Sequence, residues 1–382
     1  AKYQRTLVDK FLQWQAELVT QYKREDQFIT QNFDFEWRNY SYGVQPSVNH
    51  FKASKAVTIS GCDIYHPTQD KLTGEEIAFG GDITRSTKQD NYLVLETQAQ
   101  GHLSWLPYKG QLRLQAFSHL ASGANSVMYW HWHSIHNSFE TYWKGLLSHD
   151  FAENDTYLEA KIIGAQMKKL SPKLVNLKKK NKVAILISNE ALTALEWFKP
   201  SSGMIFGAPL NYNDIVRLFY NQLYRMNIEC DFISPDQVNL EEYKMIVAPA
   251  LYSAPEALLY KLNNFVHKGG HLITTFKTAV TNEHLKVYHD KQPHILWESL
   301  GLTYNQFTSA EDVYITKAEF NINREDCKIH TFMELVKPTS AKTLAYYDHY
   351  NWKDYSAITQ NAYGKGLATY IACIPSENYL HE

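Results

Sequence analysis

The sequence predicts an α/β protein built as two successive units. Short apolar, β-rich runs alternate with segments of helical period, the pattern of parallel strands joined by helical crossovers. That alternation stops at Ser171-Pro172 and the solvated Lys178–Lys180 charge run, then starts again. The length, 382 residues, also exceeds one typical domain of about 150 residues.

The first unit opens with an amphipathic helix over 1–24, where Leu7, Phe11, Trp14 and Leu18 recur at spacings of three and four. Residues 27–33 form a short β-rich run, 48–56 a helical stretch and 57–64 a second strand. A long polar loop is expected from His66 to about Asp90. Residues 92–96 (YLVLE) are the third strand, 112–121 a helix and 125–132 the fourth strand. A helix over 156–170 carries Ile162, Ile163, Met167 and Leu170 on one face. Ser171-Pro172 should end it, since proline donates no backbone hydrogen bond.

The second unit begins with a strand over 182–188 (KVAILIS). A helix over 213–226 and strands over 230–233 and 243–248 follow. The helix 256–267 is closed by Gly269-Gly270, a usual C-terminal stop, before a strand over 271–276. This is the pattern of a small doubly wound domain. Beyond about Val287 the pattern blurs; 367–373 (LATYIAC) is the last predicted strand.

Composition narrows the function. Lys+Arg is 38 and Asp+Glu is 40, a net charge of -2, so no whole-molecule field favours nucleic acid or an anionic membrane. Hydrophobic content of 44% and charged content of 20% argue against wholesale disorder. No apolar run reaches the roughly 18 residues a bilayer crossing needs. Cys62, Cys230, Cys327 and Cys373 are widely spaced, outside any CxxC or His-paired pattern. That argues against a zinc site or disulfide framework and fits a reducing, cytoplasmic compartment. Aromatics reach 14%, with nine Trp and 26 Tyr; such rings stack on sugar C–H faces, though aromatic-rich cores give the same composition.

Functional residues of parallel α/β folds collect at the carboxyl ends of strands. Those ends offer Asn32, then Asp63 and Tyr65, then Glu96, then aromatics and histidines followed by Glu140. A carboxylate ending an apolar strand is costly unless used or paired, and Glu96 directly follows Tyr92-Leu93-Val94-Leu95. Carboxylates beside aromatic rings are what glycoside hydrolysis needs. Asn32 is read as a structural strand-end amide and left out of the site. His131, His133 and His136 invite a metal reading. With no acidic or Cys partner at ligand spacing nearby, they are read as hydrogen-bonded pocket or core histidines, and no metal is expected. In the second unit, NEALTAL after Ile187-Ser188 lacks the glycines of a dinucleotide site. The turn Pro249-Ala250-Leu251-Tyr252 carries no Cys or Ser nucleophile. That unit is therefore read as non-catalytic, and no cofactor is expected.

Several stretches resemble glycoside hydrolase family 42, the β-galactosidases of the retaining TIM-barrel clan. They are VLETQAQGHLSW (94–105), which resembles the nucleophile motif; WHWHSIHNSFETYWKGLLSHD (130–150), similar to the strand-eight region; QWQAELVTQYKREDQFITQNF (13–33), similar to the lead into strand five; and DIYHP (63–67), similar to the strand-six Trp-Asp-x-Tyr-Pro motif. Residues 182–276, including YKMIVAPALY and FVHKGGHLITTF, resemble the family's second domain. The resemblance covers most of residues 1–300. It implies that 1–177 are the C-terminal half of a (β/α)8 barrel, strands five to eight. It implies that 178–382 form a flavodoxin- or amidotransferase-like domain that builds a homotrimer.

The resemblance also implies roles. Glu96 would be the nucleophile, Tyr65 would hydrogen-bond or flank it, Trp105 would wall the sugar site and Glu140 would bind galactose hydroxyls. Trp143 stands where the family usually has His, turning a polar contact into a stacking one. Trp105 falls nine residues after Glu96, where the family pattern has eight. On residues alone Glu140 could be the partner carboxylate of Glu96. The resemblance instead puts the acid/base in an Asn-Glu pair ending strand four, upstream of this chain. The only Asn-Glu pairs here, Asn189-Glu190 and Asn282-Glu283, lie in the second unit. The chain is thus expected to lack its N-terminal barrel half, supplied by the same gene or a partner chain, and to continue past Glu382 into a small β-domain. The activity implied is retaining hydrolysis of terminal β-galactosides such as lactose. The alternatives are a non-catalytic assembly or sugar-binding module, or a relative acting on α-L-arabinopyranosides.

Overall fold

A computed structural model describes residues 1–36, 43–102, 106–198, 211–237, 239–317 and 319–382. The chain divides into two compact units, Ala1–Lys180 and Asn181–Glu382.

The first unit is a run of βα repeats. Helix α1 (Lys2–Thr20) precedes strand β1 (Asn32–Asp34), and β2 (Gly61–Ile64) precedes helix α2 (Gly74–Ser86). Then come β3 (Tyr92–Gln98), α3 (Gln111–Ala121), β4 (Ala124–Trp130) and α4 (Asp155–Leu174). The four strands form one sheet in the order β1-β2-β3-β4, every neighbour parallel. Sequential order with a helix after each strand is the local rule of a (β/α) barrel wall. Gly61 opens β2 where the chain is tightest: an added Cβ would lie 2.3 Å from the Leu95 side chain and 2.7 Å from the Gln31 carbonyl.

Two expectations fail here for physical reasons. The polar stretch after His66 is not a long loop, because α2 lies within it. Thr73 caps the helix through a hydrogen bond accepted from the Glu76 N–H, and Glu75 and Glu76 suit its positive end. Its polar residues look solvent-facing in sequence but are buried and paired: Arg85 donates to Asp82 at 2.5 Å and to the Ser122 carbonyl at 2.9 Å. Helix α4, in turn, does not stop at Ser171-Pro172 but runs on to Leu174. Pro172 cannot bond the Lys168 carbonyl, and the Ser171 hydroxyl donates to that oxygen instead, at 3.3 Å.

The second unit holds β5 (Val183–Leu186), α5 (Asn189–Trp197), α6 (Tyr212–Arg225), β6 (Cys230–Ile233), β7 (Met245–Ala248), α7 (Glu256–His267) and β8 (His271–Thr275). Later come β9 (Tyr314–Ile315), β10 (Lys342–Asp348), β11 (Ser356–Tyr363) and β12 (Gly366–Ile371). One sheet of eight strands runs β9-β10-β11-β12-β8-β7-β5-β6. Its parallel part reads second-first-third-fourth-fifth from the β6 edge, the flavodoxin-like doubly wound order. Helix α7 ends as a Schellman turn: the Gly270 N–H reaches the Phe265 carbonyl and the Gly269 N–H the Val266 carbonyl. The blurred region beyond 287 forms an antiparallel extension, where β10 alternates exposed and buried residues instead of presenting an apolar run. All four cysteines are buried, and none forms a disulfide. Among the described residues, no helix is long and apolar enough to cross a membrane.

Candidate active site

Register builds this site. Parallel pairing sets Asp34 beside Asp63 and Asp63 beside Glu96, so one row across β1, β2 and β3 carries three carboxylates. Glu96 sits near the carboxyl end of β3, half-buried. The Tyr65 hydroxyl, just past the end of β2, donates to its Oε1 at 2.8 Å. The Asn32 amide, on β1, donates to its Oε2 at 3.3 Å. Each oxygen of Glu96 thus has a donor: Tyr65 from the end of the adjacent strand β2, and Asn32 from β1, one strand beyond.

Electrostatics keep those donors in place. Burial, the hydrogen bond to Glu96 and the charges of Glu96, Asp63 and Glu140 push the Tyr65 phenol far above its ordinary range, so it stays protonated and donates. Asp63 is pushed up to about 7, first by burial and then by the charges of Glu96, Asp34 and Glu36. Its Oδ1 is buried without a hydrogen-bond partner among the described residues. Asp63 therefore exchanges its proton near neutrality, beside a carboxylate held by two donors.

Aromatic and acidic groups approach from the segment after β4. The Trp143 ring meets the Tyr65 ring edge-on, centroids 5.2 Å apart at 89°. Glu140 lies half-buried in the short turn Phe139–Tyr142 and acts electrostatically on Tyr65. The structure brings Tyr65, Glu96, Glu140 and Trp143 together, while Trp105 lies outside the described residues. Asn32, read from sequence as structural, faces the site. The residue type alone did not mark it, because its partner is 64 positions away. Asp63 ends a strand in the sequence, but only its register beside Glu96 gives it a place in the site.

The histidines find backbone partners. His131 donates to the Trp143 carbonyl at 3.2 Å, His133 to the Ser134 carbonyl at 2.9 Å and His136 to the His149 carbonyl at 2.6 Å. No group of three or more His, Cys, Asp or Glu side chains among the described residues could hold a metal ion.

The fold defines a class: part of a (β/α)8 barrel joined to a doubly wound domain, with polar groups gathered at strand ends. Residues 1–170 match the β-galactosidase family model and residues 181–382 the β-galactosidase trimerisation domain, so the chain belongs to the family 42 β-galactosidases. It is 29% identical over 340 residues to β-galactosidase BgaB of Geobacillus sp. (strain Y412MC61), covering 87% of this chain and 49% of that protein. It is 28% identical over 371 residues to β-galactosidase LacZ of Lactobacillus acidophilus, covering 94% of this chain and 54% of that protein. The solved β-galactosidase of Bacillus circulans sp. alkalophilus superposes with a TM-score of 0.86 at 24% identity, covering 99% of this chain and 56% of that one. The chain spans about half the length of the curated relatives it matches.

Proposed function

We propose that this chain carries the nucleophile half of a retaining β-galactosidase. One observation carries the reading: Glu96, near the carboxyl end of a parallel strand, has one oxygen engaged by Tyr65, just past the adjacent strand β2, and the other by Asn32 on β1, one strand further along the sheet. Glu96 attacks the anomeric carbon while a glutamic acid from the preceding barrel half protonates the glycosidic oxygen. The galactosyl–enzyme ester forms as the aglycone leaves. Water, deprotonated by that same upstream residue, then displaces Glu96 with retained configuration. Tyr65 orients the carboxylate, Trp143 and Trp105 present rings to the sugar, and Glu140 accepts from its hydroxyls. No cofactor takes part.

The first unit supports the idea of a preceding half. Among the described residues, strand β1 pairs on one side only. The α1 face formed by Leu7, Phe11, Trp14 and Leu18 is 43–56% exposed, against the usual burial of such a stripe. A cleft of about 610 Å³ lined by Leu7, Phe11, Phe33 and His50 lies between that helix and the open edge. Further βα units would cover both, as barrels abolish sheet edges. The match of the second unit to a trimerisation domain supports assembly as a homotrimer.

The decisive experiment is Glu96→Gln in the full-length protein with a nitrophenyl β-galactoside. Turnover should fall by at least about 10³-fold, the scale of losing a nucleophile that acts as a unit with its partners. Azide should rescue Glu96→Ala by attacking the anomeric centre from the vacated side. Near-wild-type kinetics for Glu96→Gln would overturn the assignment and favour an assembly or sugar-binding module.

A further inference from the structure

Two buried glutamines follow Glu96 at alternate positions. Gln98 is 2% exposed and Gln100 7%. Alternation along a strand puts residues i, i+2 and i+4 on one side wherever the chain stays extended. These side chains do not pair with each other. Each reaches out of the strand to the backbone of a different flanking segment.

Gln98 grips the segment bearing Tyr65. Its Nε2 donates to the His66 carbonyl at 2.5 Å, and its Oε1 accepts from the His66 N–H at 3.0 Å. One amide thereby satisfies both backbone polar groups of the residue next to Tyr65. The His66 N–H can only donate and its carbonyl only accept, which fixes which end of the amide faces which group, and the Thr97 hydroxyl adds a further donor to Oε1 at 3.1 Å. The His66 ring is anchored in turn: its Nε2 lies 2.9 Å from Nε2 of the buried His119, whose Nδ1 lies 2.9 Å from the Tyr92 hydroxyl.

Gln100 grips the segment bearing Trp143. Its Nε2 donates to the Gly145 carbonyl at 2.7 Å, two residues past Trp143. Gly145 is packed so closely that an added Cβ would lie 2.5 Å from the His133 backbone. The Tyr65 and Trp143 rings, which meet at 5.2 Å, therefore sit on two segments tied to the strand that carries Glu96.

We propose that Gln98 and Gln100 are positioning residues: their buried amides lock the Tyr65 and Trp143 segments to β3, so that the tyrosine hydroxyl and the indole are placed relative to Glu96 before substrate arrives. This rests on the reading of Glu96 as nucleophile. The reason for amides is chemical. Each clamp needs a neutral donor that can be buried against a carbonyl, and for Gln98 an acceptor on the same rigid plane. A carboxylate supplies no donor, and an apolar residue of equal size supplies neither, so both amide bonds to the buried His66 backbone are lost. Misplacing a reacting group by about 1 Å can cost about 10²-fold in rate.

The test is a double-mutant cycle in the full-length enzyme, using Gln98→Met, Tyr65→Phe and the pair, with kcat and KM measured separately. Gln98→Met should lower kcat by about tenfold or more with KM changed less than about threefold. In the Tyr65→Phe background it should cost no more than about a further twofold, because the group it positions is gone. Gln98→Glu, nearly identical in shape, should be at least as damaging at pH 8 as Gln98→Met. It should recover part of its kcat at pH 5, where a protonated carboxyl can again donate to the His66 carbonyl. Gln100→Met should raise KM more than it lowers kcat, since Trp143 contacts sugar and not the reacting carboxylate.

Losses that multiply independently in the double variant would overturn the proposal and leave Gln98 as a structural residue. So would Gln98→Met kinetics within about twofold of wild type. If Gln98→Met melts too early to assay, the pH recovery of Gln98→Glu decides alone, and its absence counts against positioning. Failure of the underlying reading is separate, because it shows in Glu96→Gln whatever Gln98 does.

Discussion

Asp63 in the first unit and Glu334 in the second are both carboxyls pushed up to about 7, yet their surroundings are opposite. Asp63 is raised first by burial and then by negative neighbours, Glu96, Asp34 and Glu36, and its Oδ1 lacks a partner among the described residues. Glu334 ends the short strand His330–Glu334, fully buried, and burial alone raises it. Every other influence on Glu334 pulls down: the Tyr370 hydroxyl donates at 2.6 Å, the Lys277 N–H at 2.8 Å, and the Lys277 ammonium and Tyr304 add to them. That ammonium rests over the Phe307 and Phe332 rings at 4.4 and 4.6 Å. A carboxyl titrating near neutrality therefore marks nothing by itself. Donors around it make a structural node; other acids around it make a site that stores unfavourable charge.

The largest effect that could break this contrast is on stability. Glu334→Ala strands the Tyr370 hydroxyl, the Lys277 amide and a half-buried ammonium, and should cost about 3 kcal/mol. Calorimetry of the full-length protein should show the second domain's transition falling by about 6–12 °C. Asp63→Asn removes like-charge repulsion and should leave the first unit's transition within about 1 °C, or raise it, at pH 8. If the two variants destabilise alike, the distinction between node and site is wrong.

The pH dependence sharpens it. Both groups hold their protons more tightly folded than unfolded, so the folded state binds more protons between the ordinary carboxylate range and about 7. Their contribution is full below about pH 4 and is lost as pH rises through about 7. Melting temperatures of both units should thus decline from pH 5 to pH 8 on this account. Glu334→Gln should flatten the decline in the second unit alone, and Asp63→Asn in the first alone. A slope unchanged by either substitution would show that other groups set it.

These contrasts bear on what the sequence made legible. Strands β3, β5 and β6 and helix α7 announce themselves because apolar runs and a glycine stop are local signals. Helix α2 did not, because its inward face uses an Asp82–Arg85 pair where a helix normally uses apolar side chains. Strands β10 and β11 were hidden by alternation on an antiparallel extension. Glu96 and Tyr65 stood out as polar residues ending apolar strands. Asn32, Asp63 and Gln98 did not, since their meaning comes from register and from contacts 30 or more positions away. Only the sheet pairing supplies that information.

The smallest expected effect is the most discriminating about charge. Asn32 is exposed, and its contact with Glu96 is 3.3 Å, longer than the 2.8 Å of Tyr65. Its orientation is set by Gln31, whose Nε2 donates to the Asn32 Oδ1 at 3.0 Å and leaves the Asn32 NH2 for Glu96. Losing one long, solvated hydrogen bond should lower kcat/KM of Asn32→Ala by only about two- to fivefold, consistent with a contribution near 1 kcal/mol or less. Asn32→Asp has almost the same shape but no donor, and it adds a fourth carboxylate beside Asp34, Asp63 and Glu96. If unfavourable charge is what defines this row, Asn32→Asp should lose clearly more than Asn32→Ala, and the excess should shrink in high salt as screening grows. Parity between the two variants at low salt would mean that Asn32 acts through shape and its one hydrogen bond, and that the acidic row tolerates another charge.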